Sequence, residues 1–479
     1  MIKFLFPFSR SEMLRFLPMA IMCLLLTTDY HLLRNIKETL IVTHPHLKAE
    51  ALPFIKTWFL LPIAWGFSVG YISLSSRFSQ KALFFMIFFP FLIYYMLFFF
   101  VFYPNRELIE WHAAGIFLKE LLPNWMAPIS EIFRHWYLSF FYIISEMWGT
   151  TVILLLFWGF ANRMTHPEEA KRLYPFLIFL ANLSGVCSGK FTLWASSGSD
   201  LSSIEKWENF LNYTATFIVI TGVIVACIYY LLYRYHFQEQ GVIEEQLKND
   251  ASKTPLSVHL KQIISTRGLW PLMWMTCAYF FSTSLMEVLW YNQLSILHPD
   301  PVAFNMYLNQ VTIYIGVFST LLSLVGAAQI VKYFSWGIAA SATPILLLPC
   351  GILIYFFSAS ASADPIFLHY TVGLGAIYFT LNRVCKYTFF DVSKELAFTY
   401  LPLQTKVQGK PIVDSFCPKL GKSCEGIYLQ FLLGTFQTLS SALPVAIISI
   451  SIIKIFWIWS AYCGQKFITE KKQVAAIPS

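Results

Sequence analysis

Apolar runs of about 20 residues recur along the whole chain, each long enough to cross a bilayer as one helix. No soluble core needs so many, so the sequence can only be that of a polytopic membrane protein built from helices. The run from Trp136 to Arg163, WYLSFFYIISEMWGTTVILLLFWGFANR, is almost wholly apolar, yet Glu146 sits well inside it. A carboxylate at that depth costs roughly 3 kcal/mol on insertion scales, so it must face protein or water. It either pairs with a neighbouring helix or touches cargo or protons. Ser145 and Gly149 beside it favour close packing, so the same face is expected to meet another helix.

Composition agrees. Of 479 residues 57% are hydrophobic and only 13% charged, about half the soluble norm. Phe, Tyr and Trp are abundant, as expected where rings line apolar spans and interfaces. The net charge of +8 is partly topological, because Lys and Arg collect on the cytoplasmic side, and it also suits a cavity for an anion. No long basic block stands outside the spans, so nucleic acid is not an expected partner. The nine cysteines form no CxxC or Cys/His cluster, so neither a metal, a cofactor nor a disulfide framework is expected. Cys417 and Cys424 share one loop and could pair; two free thiols are expected if that loop is cytoplasmic.

Spans are expected near 14–33, 52–75, 82–103, 136–160, 174–196 and 211–233, then near 269–291, 310–334, 336–358, 366–386, 425–441 and 443–463. The first lacks a small-residue cleavage site and reads as a retained span. Residues 234–268 carry both charge signs and read as a cytoplasmic linker between two six-helix parts, 1–233 and 269–479. Six plus six around a polar linker is the hydropathy pattern of the major facilitator architecture, with a site near the midplane between its repeats. Segments after the seventh, ninth and eleventh spans lack Lys and Arg, whereas Arg77, Lys81, Arg163, Lys171 and Arg172 follow the second and fourth. The positive-inside rule then puts both termini in the cytoplasm and residues 104–135 outside, as one or two short interfacial helices.

Two stretches depart from this simple topology. The first exterior segment carries Arg34, Lys37, Lys48 and Lys56 on the side that should be poor in positive charge. Arg34 and Lys37 are three apart and share a helix face. These side chains either snorkel to lipid headgroups or line a cavity for an anion. The second stretch, 383–424, is rich in Lys and Arg and reads as a basic cytoplasmic loop in which FFDVSKELAF has helical spacing. Gly421-Lys422-Ser423 lacks the first glycine and the flanking strand of a phosphate-binding loop, which excludes an ATPase.

The ordered motifs LRNIKETL, AEALPFIKTW, SEMWGTTVILLLFWGFAN, STSLMEVLW, NRVCKYTFFDVSKELAFTYLPLQTKVQGKPIVD and LGKS resemble the ATP/ADP translocase family of plastids and obligate intracellular bacteria. The resemblance runs from about Leu14 to Phe467. It implies a twelve-span nucleotide carrier, with no enzymatic activity, in the inner membrane of an intracellular bacterium. Position by position it implies substrate contacts at Lys56, Glu146 and Glu287, with a second lysine at Lys422 or Lys410. It also implies a basic pair at Arg34 and Lys37 and a role for Asn162 in the FAN motif. Where the family commonly has a lysine after the second glutamate, this chain has Tyr291; where GKSGG is usual, Cys424 and Glu425 follow Ser423.

The residues fit such cargo on their own terms. A nucleotide carries about three to four negative charges, which several cations must meet. Arginine forks suit phosphate and lysine supplies point charge. Glu146 and Glu287 would hold lysines between steps, contact base or ribose, or bind a proton. Tyr291 and Glu425 lower the positive charge of an empty cavity, which favours proton-coupled import of ATP, ADP, GTP or a related nucleotide. Strict exchange for another nucleotide or for phosphate is the alternative, and transport of another organic solute a third. A membrane enzyme would need a clustered catalytic set; His44 and His46 are the nearest approach to one.

Overall fold

The computed structural model describes residues 10–165, 167–197, 202–236, 269–325, 335–360, 364–399, 401, 409–410 and 412–475. Residues 237–268, which hold nearly all of the expected linker, lie outside the described residues, as does part of the 383–424 stretch. The described residues are helical throughout, without strands. In chain order the long helices are α1 (Arg10–Val42), α2 (Ala49–Ser75), α3 (Gln80–Phe102), α4 (Trp136–Met164), α5 (Pro167–Ala195), α6 (Ser203–His236), α7 (Trp270–Leu297), α8 (Pro301–Val325), α9 (Trp336–Ser360), α10 (Ile366–Cys385), α11 (Cys417–Phe436) and α12 (Leu439–Ala475). Among the described residues nine are long and apolar enough to cross a membrane; α8, α10 and α11 are not among them.

Those three helices are the polar ones, and two of them begin earlier than hydropathy suggests. The turn between α7 and α8 is only His298–Asp300, so α8 starts about nine residues before the expected 310. The reason is its buried polar turn. Asn305 and Asn309 are hidden against α1, where Asn35 Nδ2 donates to Asn309 Oδ1 at 2.9 Å and to Thr312 Oγ1 at 3.1 Å. Helix α11 likewise starts at Cys417, with Pro418 in its first turn, rather than at 425. Lys422 is therefore a helical residue within α11 and not part of a loop. Gln437, in the left-handed region at φ 64°, ends α11. The last turn thus falls at 437–438, ahead of the expected 442.

Packing sets the scaffold for the site. α1 packs on α4, α5, α6 and α8; α7 packs on α10, α11 and α12; α9 packs on α10 and α12; and α5 crosses α8 closely. Residues 104–135 form three short helices, Arg106–Ile109, His112–Leu121 and Ala127–Arg134. Cys417 and Cys424 both lie on α11 and are unpaired. Several spans contain widened π turns, at Ile55–Leu60, Phe98–Phe102 and Gly149–Trp158, and one more, Lys386–Phe390, directly follows α10. Such turns rotate the side chains that follow them and are frequent at functional sites. Three of these four carry or adjoin the charges described next.

Candidate functional site: a charged cavity between α1, α4, α7, α10 and α11

A cavity of ≈ 360 Å³ lies where these helices and the π turn of α2 converge. Each helix lends a stripe at helical spacing. α1 contributes Tyr30, Arg34, Lys37 and Glu38; α4 contributes Tyr142, Glu146, Gly149 and Thr150; α7 contributes Phe280, Thr283, Ser284 and Glu287. Arg383 on α10, with Lys386 and Tyr387 just past its end, supplies a third basic wall, while Lys56 and Lys422 come from α2 and α11. Gly149 permits a close approach of α4 to α1: a Cβ there would stand 2.9 Å from Tyr30 Cε2.

Ion pairs tie these stripes together. Arg34 Nη2 donates to Glu287 Oε1 at 2.7 Å, and Tyr291 Oη donates to the same oxygen at 3.1 Å. Glu146 is bridged by two lysines, Lys37 at 3.2 Å and Lys422 at 3.3 Å. Lys37 also pairs with its neighbour Glu38, which accepts from Tyr142 Oη at 3.1 Å, and its ammonium stands 4.0 Å from the centroid of that ring. Lys386 reaches Asp391 at 3.6 Å. Six cations and three carboxylates line the cavity in all. Lys56 and Arg383 have no carboxylate at ion-pair distance among the described residues, and the buried Arg383 Nε has no hydrogen-bond partner. Among the described residues, two half-buried cations thus lack anions in a site that already holds four ion pairs.

Six of the eight residues expected from the sequence meet here: Arg34, Lys37, Lys56, Glu146, Glu287 and Lys422. Lys56 is among the residues that line the cavity. Two do not line it. Lys410 sits on the surface, 2.6 Å from Glu395, with 43% of its side chain exposed. Asn162 is sixteen residues beyond Glu146, roughly 24 Å along the helix, and accepts from Tyr174 Oη. Sequence reading missed Tyr30, Glu38, Tyr142, Thr283, Ser284, Arg383, Lys386 and Tyr387 as site residues. Most of these stand three or four positions from a residue it chose, so the polar stripe around each charge was the available signal.

The cavity is deep and buried at one end, where Lys37 and Glu38 are 1% and 3% exposed, and open at the other, where Leu154 is 58% exposed. Beyond the buried end α2 and α11 meet. Trp58 Nε1 donates to Gln430 Oε1 at 2.9 Å, and Gln430 Nε2 donates to the Pro53 carbonyl at 3.3 Å. The histidines His44 and His46 lie outside the cavity, beside His135 in the turn before α4. Burial and the nearby His135 and His46 rings push His44 down to about 3. Burial and Arg134 push His135 down to about 4. These neutral rings adjoin no nucleophile of the cavity and form no catalytic set with it.

Known proteins resemble the chain in sequence and in fold. A family model described as TLC ATP/ADP transporter matches residues 1–466. The chain is 30% identical over 474 residues to ADP,ATP carrier protein 1 of Chlamydia trachomatis, a match that covers 96% of this chain and 89% of that protein. It is 32% identical over 462 residues to the chloroplastic ADP,ATP carrier protein 1 of Arabidopsis thaliana, covering 93% and 73% respectively. Among solved structures, a bacterial homologue of the iron transporter ferroportin in its inward-facing state superposes with a TM-score of 0.57 at 13% identity, over 94% of this chain and 100% of that one. The fold is accordingly all-α and major-facilitator-like.

Proposed function

The chain belongs to the ATP/ADP transporter family, and from that premise we propose that it exchanges nucleotides of the ATP and ADP type across a membrane through the charged cavity. One observation carries this reading: among the described residues, Lys56 and Arg383 stand in the cavity without carboxylate partners beside four satisfied ion pairs. A polyanion of about three to four charges answers that surplus. It also explains why exchange is favoured over free cycling, because closing an empty cavity around unpaired cations costs several kcal/mol. Arg34, Lys37, Lys56, Arg383 and Lys422 would meet the phosphates, while the Tyr30, Tyr279, Phe280 and Tyr387 rings offer faces for a base. In our reading the chain forms two six-helix halves around this site, with both termini in the cytoplasm and the exposed end of the cavity facing it. The test is uptake of labelled ATP by liposomes holding the protein, preloaded with ADP or left empty. Exchange requires strong stimulation by internal ADP and competition by unlabelled ATP and ADP. Uptake of some other organic solute, with no effect of nucleotides, overturns it.

A second reading, net import coupled to a proton, draws on two residues. Tyr291 gives Glu287 a hydrogen bond and no positive charge, and Glu425 is a fully buried carboxyl with no cation at ion-pair distance among the described residues. Under that reading a protonophore stops uptake into cells and internal nucleotide gives no stimulation. The six cations facing three carboxylates weigh toward exchange.

A further inference from the structure

Behind the cavity wall lies a carboxyl that the ion pairs do not use. Glu425 on α11 is 0% exposed. Its Oε2 accepts from Ser284 Oγ at 2.7 Å, and its Oε1 has no hydrogen-bond partner among the described residues. A buried polar atom left unpaired is costly, and such groups in a native structure require a reason. Ser284 lines the cavity, so a single hydroxyl separates Glu425 from it. α2 crosses α11 at this level: a Cβ on Gly426 would stand 2.1 Å from Thr57 Oγ1 and 3.3 Å from the Pro53 carbonyl. The residue before Thr57 is Lys56. An ammonium without a carboxylate and a carboxyl without a cation therefore stand on touching turns of two helices.

We propose that Glu425 is the counter-ion that Lys56 adopts when the cavity is empty. With nucleotide bound, the ammonium faces the phosphates. When nucleotide leaves, its flexible four-carbon stem turns toward Glu425. That pairing removes one uncompensated cation from the empty site and lowers the cost of closing it. The empty carrier then reorients at a measurable rate, and a slow net flux of nucleotide accompanies exchange. This rests on the exchange reading and adds to it a residue that sets how strict the exchange is. Glu425 is a positioning residue, acting through Lys56 and touching no substrate.

The experiment compares wild type, Glu425→Gln, Glu425→Asp and Glu425→Gly in liposomes preloaded with labelled ATP. Loss of label is followed into medium with and without external ADP. For Glu425→Gln and Glu425→Gly we expect efflux into nucleotide-free medium to fall about tenfold, with ADP-driven exchange within about twofold of wild type. Glu425→Asp, which keeps the carboxylate, should restore part of the net efflux. A Glu425→Gln protein that exchanges normally and loses label to nucleotide-free medium as fast as wild type overturns the assignment. So does loss of exchange in both Glu425→Gln and Glu425→Gly proteins of normal thermal stability, because Glu425 would then serve transport itself. A wild type whose efflux ignores external nucleotide overturns the exchange reading instead, and the two failures are told apart within one assay.

Discussion

Buried charges occur in two kinds of place in this molecule. In the cavity, Arg34, Lys37, Glu146 and Glu287 form pairs that join helices distant in sequence, and two further cations stand beside them. Elsewhere, Asp29 on α1 and Lys454 on α12 are just as deeply buried, at 0% and 1% exposure, but line no part of it. Among the described residues Asp29 meets only the Thr221 hydroxyl, at 3.0 and 2.9 Å, and Lys454 donates to Tyr378 Oη at 2.9 Å while standing 4.5 Å from that ring's centroid. The cavity charges meet opposite charges across helix boundaries, where a ligand can compete for them. Asp29 and Lys454 each meet a single neutral hydroxyl, where nothing competes. Burial alone therefore does not single out a residue for transport; our reading also asks for a place in the cavity or, as for Glu425, directly behind its wall.

The largest effect should come from breaking a cavity pair. Arg34→Ala removes a proposed phosphate donor and also leaves Glu287 uncompensated, a loss of about 3–5 kcal/mol for a buried pair. Uptake of ATP should fall by at least roughly 100-fold, since each 1.4 kcal/mol is about tenfold. The double variant Arg34→Ala, Glu287→Gln separates the two contributions. It should recover thermal stability while uptake stays low. Recovery of uptake would reduce the Arg34–Glu287 pair to a structural tie and erase its difference from Asp29.

Lys56→Ala should act more cleanly, because in the state described no carboxylate among the described residues pairs with Lys56. We expect the concentration for half-maximal uptake to rise about tenfold, with no drop in melting temperature. Normal uptake by this variant would return Lys56 to the lipid boundary.

Most of the helices and the two central carboxylates were legible from hydropathy and from acids placed within apolar runs. That rule cannot rank them, since Asp29 satisfies it equally, and Lys454 is likewise a charge within an apolar run. What separates them is the neighbourhood on the helix. Glu287 has Thr283, Ser284 and Tyr291 within one turn, and Glu146 has Tyr142, Gly149 and Thr150. Lys454 is flanked mainly by Ile450, Trp457 and Ile458. The starts of α8 and α11 were misread for the same physical reason. Polar residues facing a protein interior look like a loop to a hydropathy window, although Asn305, Asn309 and Glu425 are all buried. Lys422 was preferred to Lys410 on its motif alone; the start of α11 at Cys417 is what carries Lys422 on a helix that reaches the cavity.

A third environment sharpens the contrast through pH. His44 and His135, outside the spans, are pushed down to about 3 and about 4, chiefly by burial. Their unfolded value is near 6.5, so below it the unfolded chain binds more protons than the fold. The stability they contribute is complete above about pH 6.5 and is lost as pH falls toward their folded values. The melting temperature should decline between pH 7 and pH 5, and His44→Phe should flatten that decline. An unchanged slope would show that the ring is hydrated and titrates like a surface histidine.

The smallest effect on transport is expected where the comparison began. Asp29→Asn keeps the shape of the side chain and a group able to bond the Thr221 hydroxyl. Lys454→Met removes an ammonium that, among the described residues, has only Tyr378 Oη as a hydrogen-bond partner. Replacing a buried charge by an apolar side chain of similar volume is often neutral or stabilising by about 1–4 kcal/mol, against about 1 kcal/mol for the lost hydrogen bond. Exchange by both variants should therefore stay within about threefold of wild type, and the melting temperature of Lys454→Met should hold or rise. If either variant folds normally and fails to transport, the distinction drawn from geometry breaks. Asp29 or Lys454 would then have to meet a charge in a state of the carrier other than the one described, and the transport machinery would extend from the cavity into the packing of α1 on α6 or of α10 on α12.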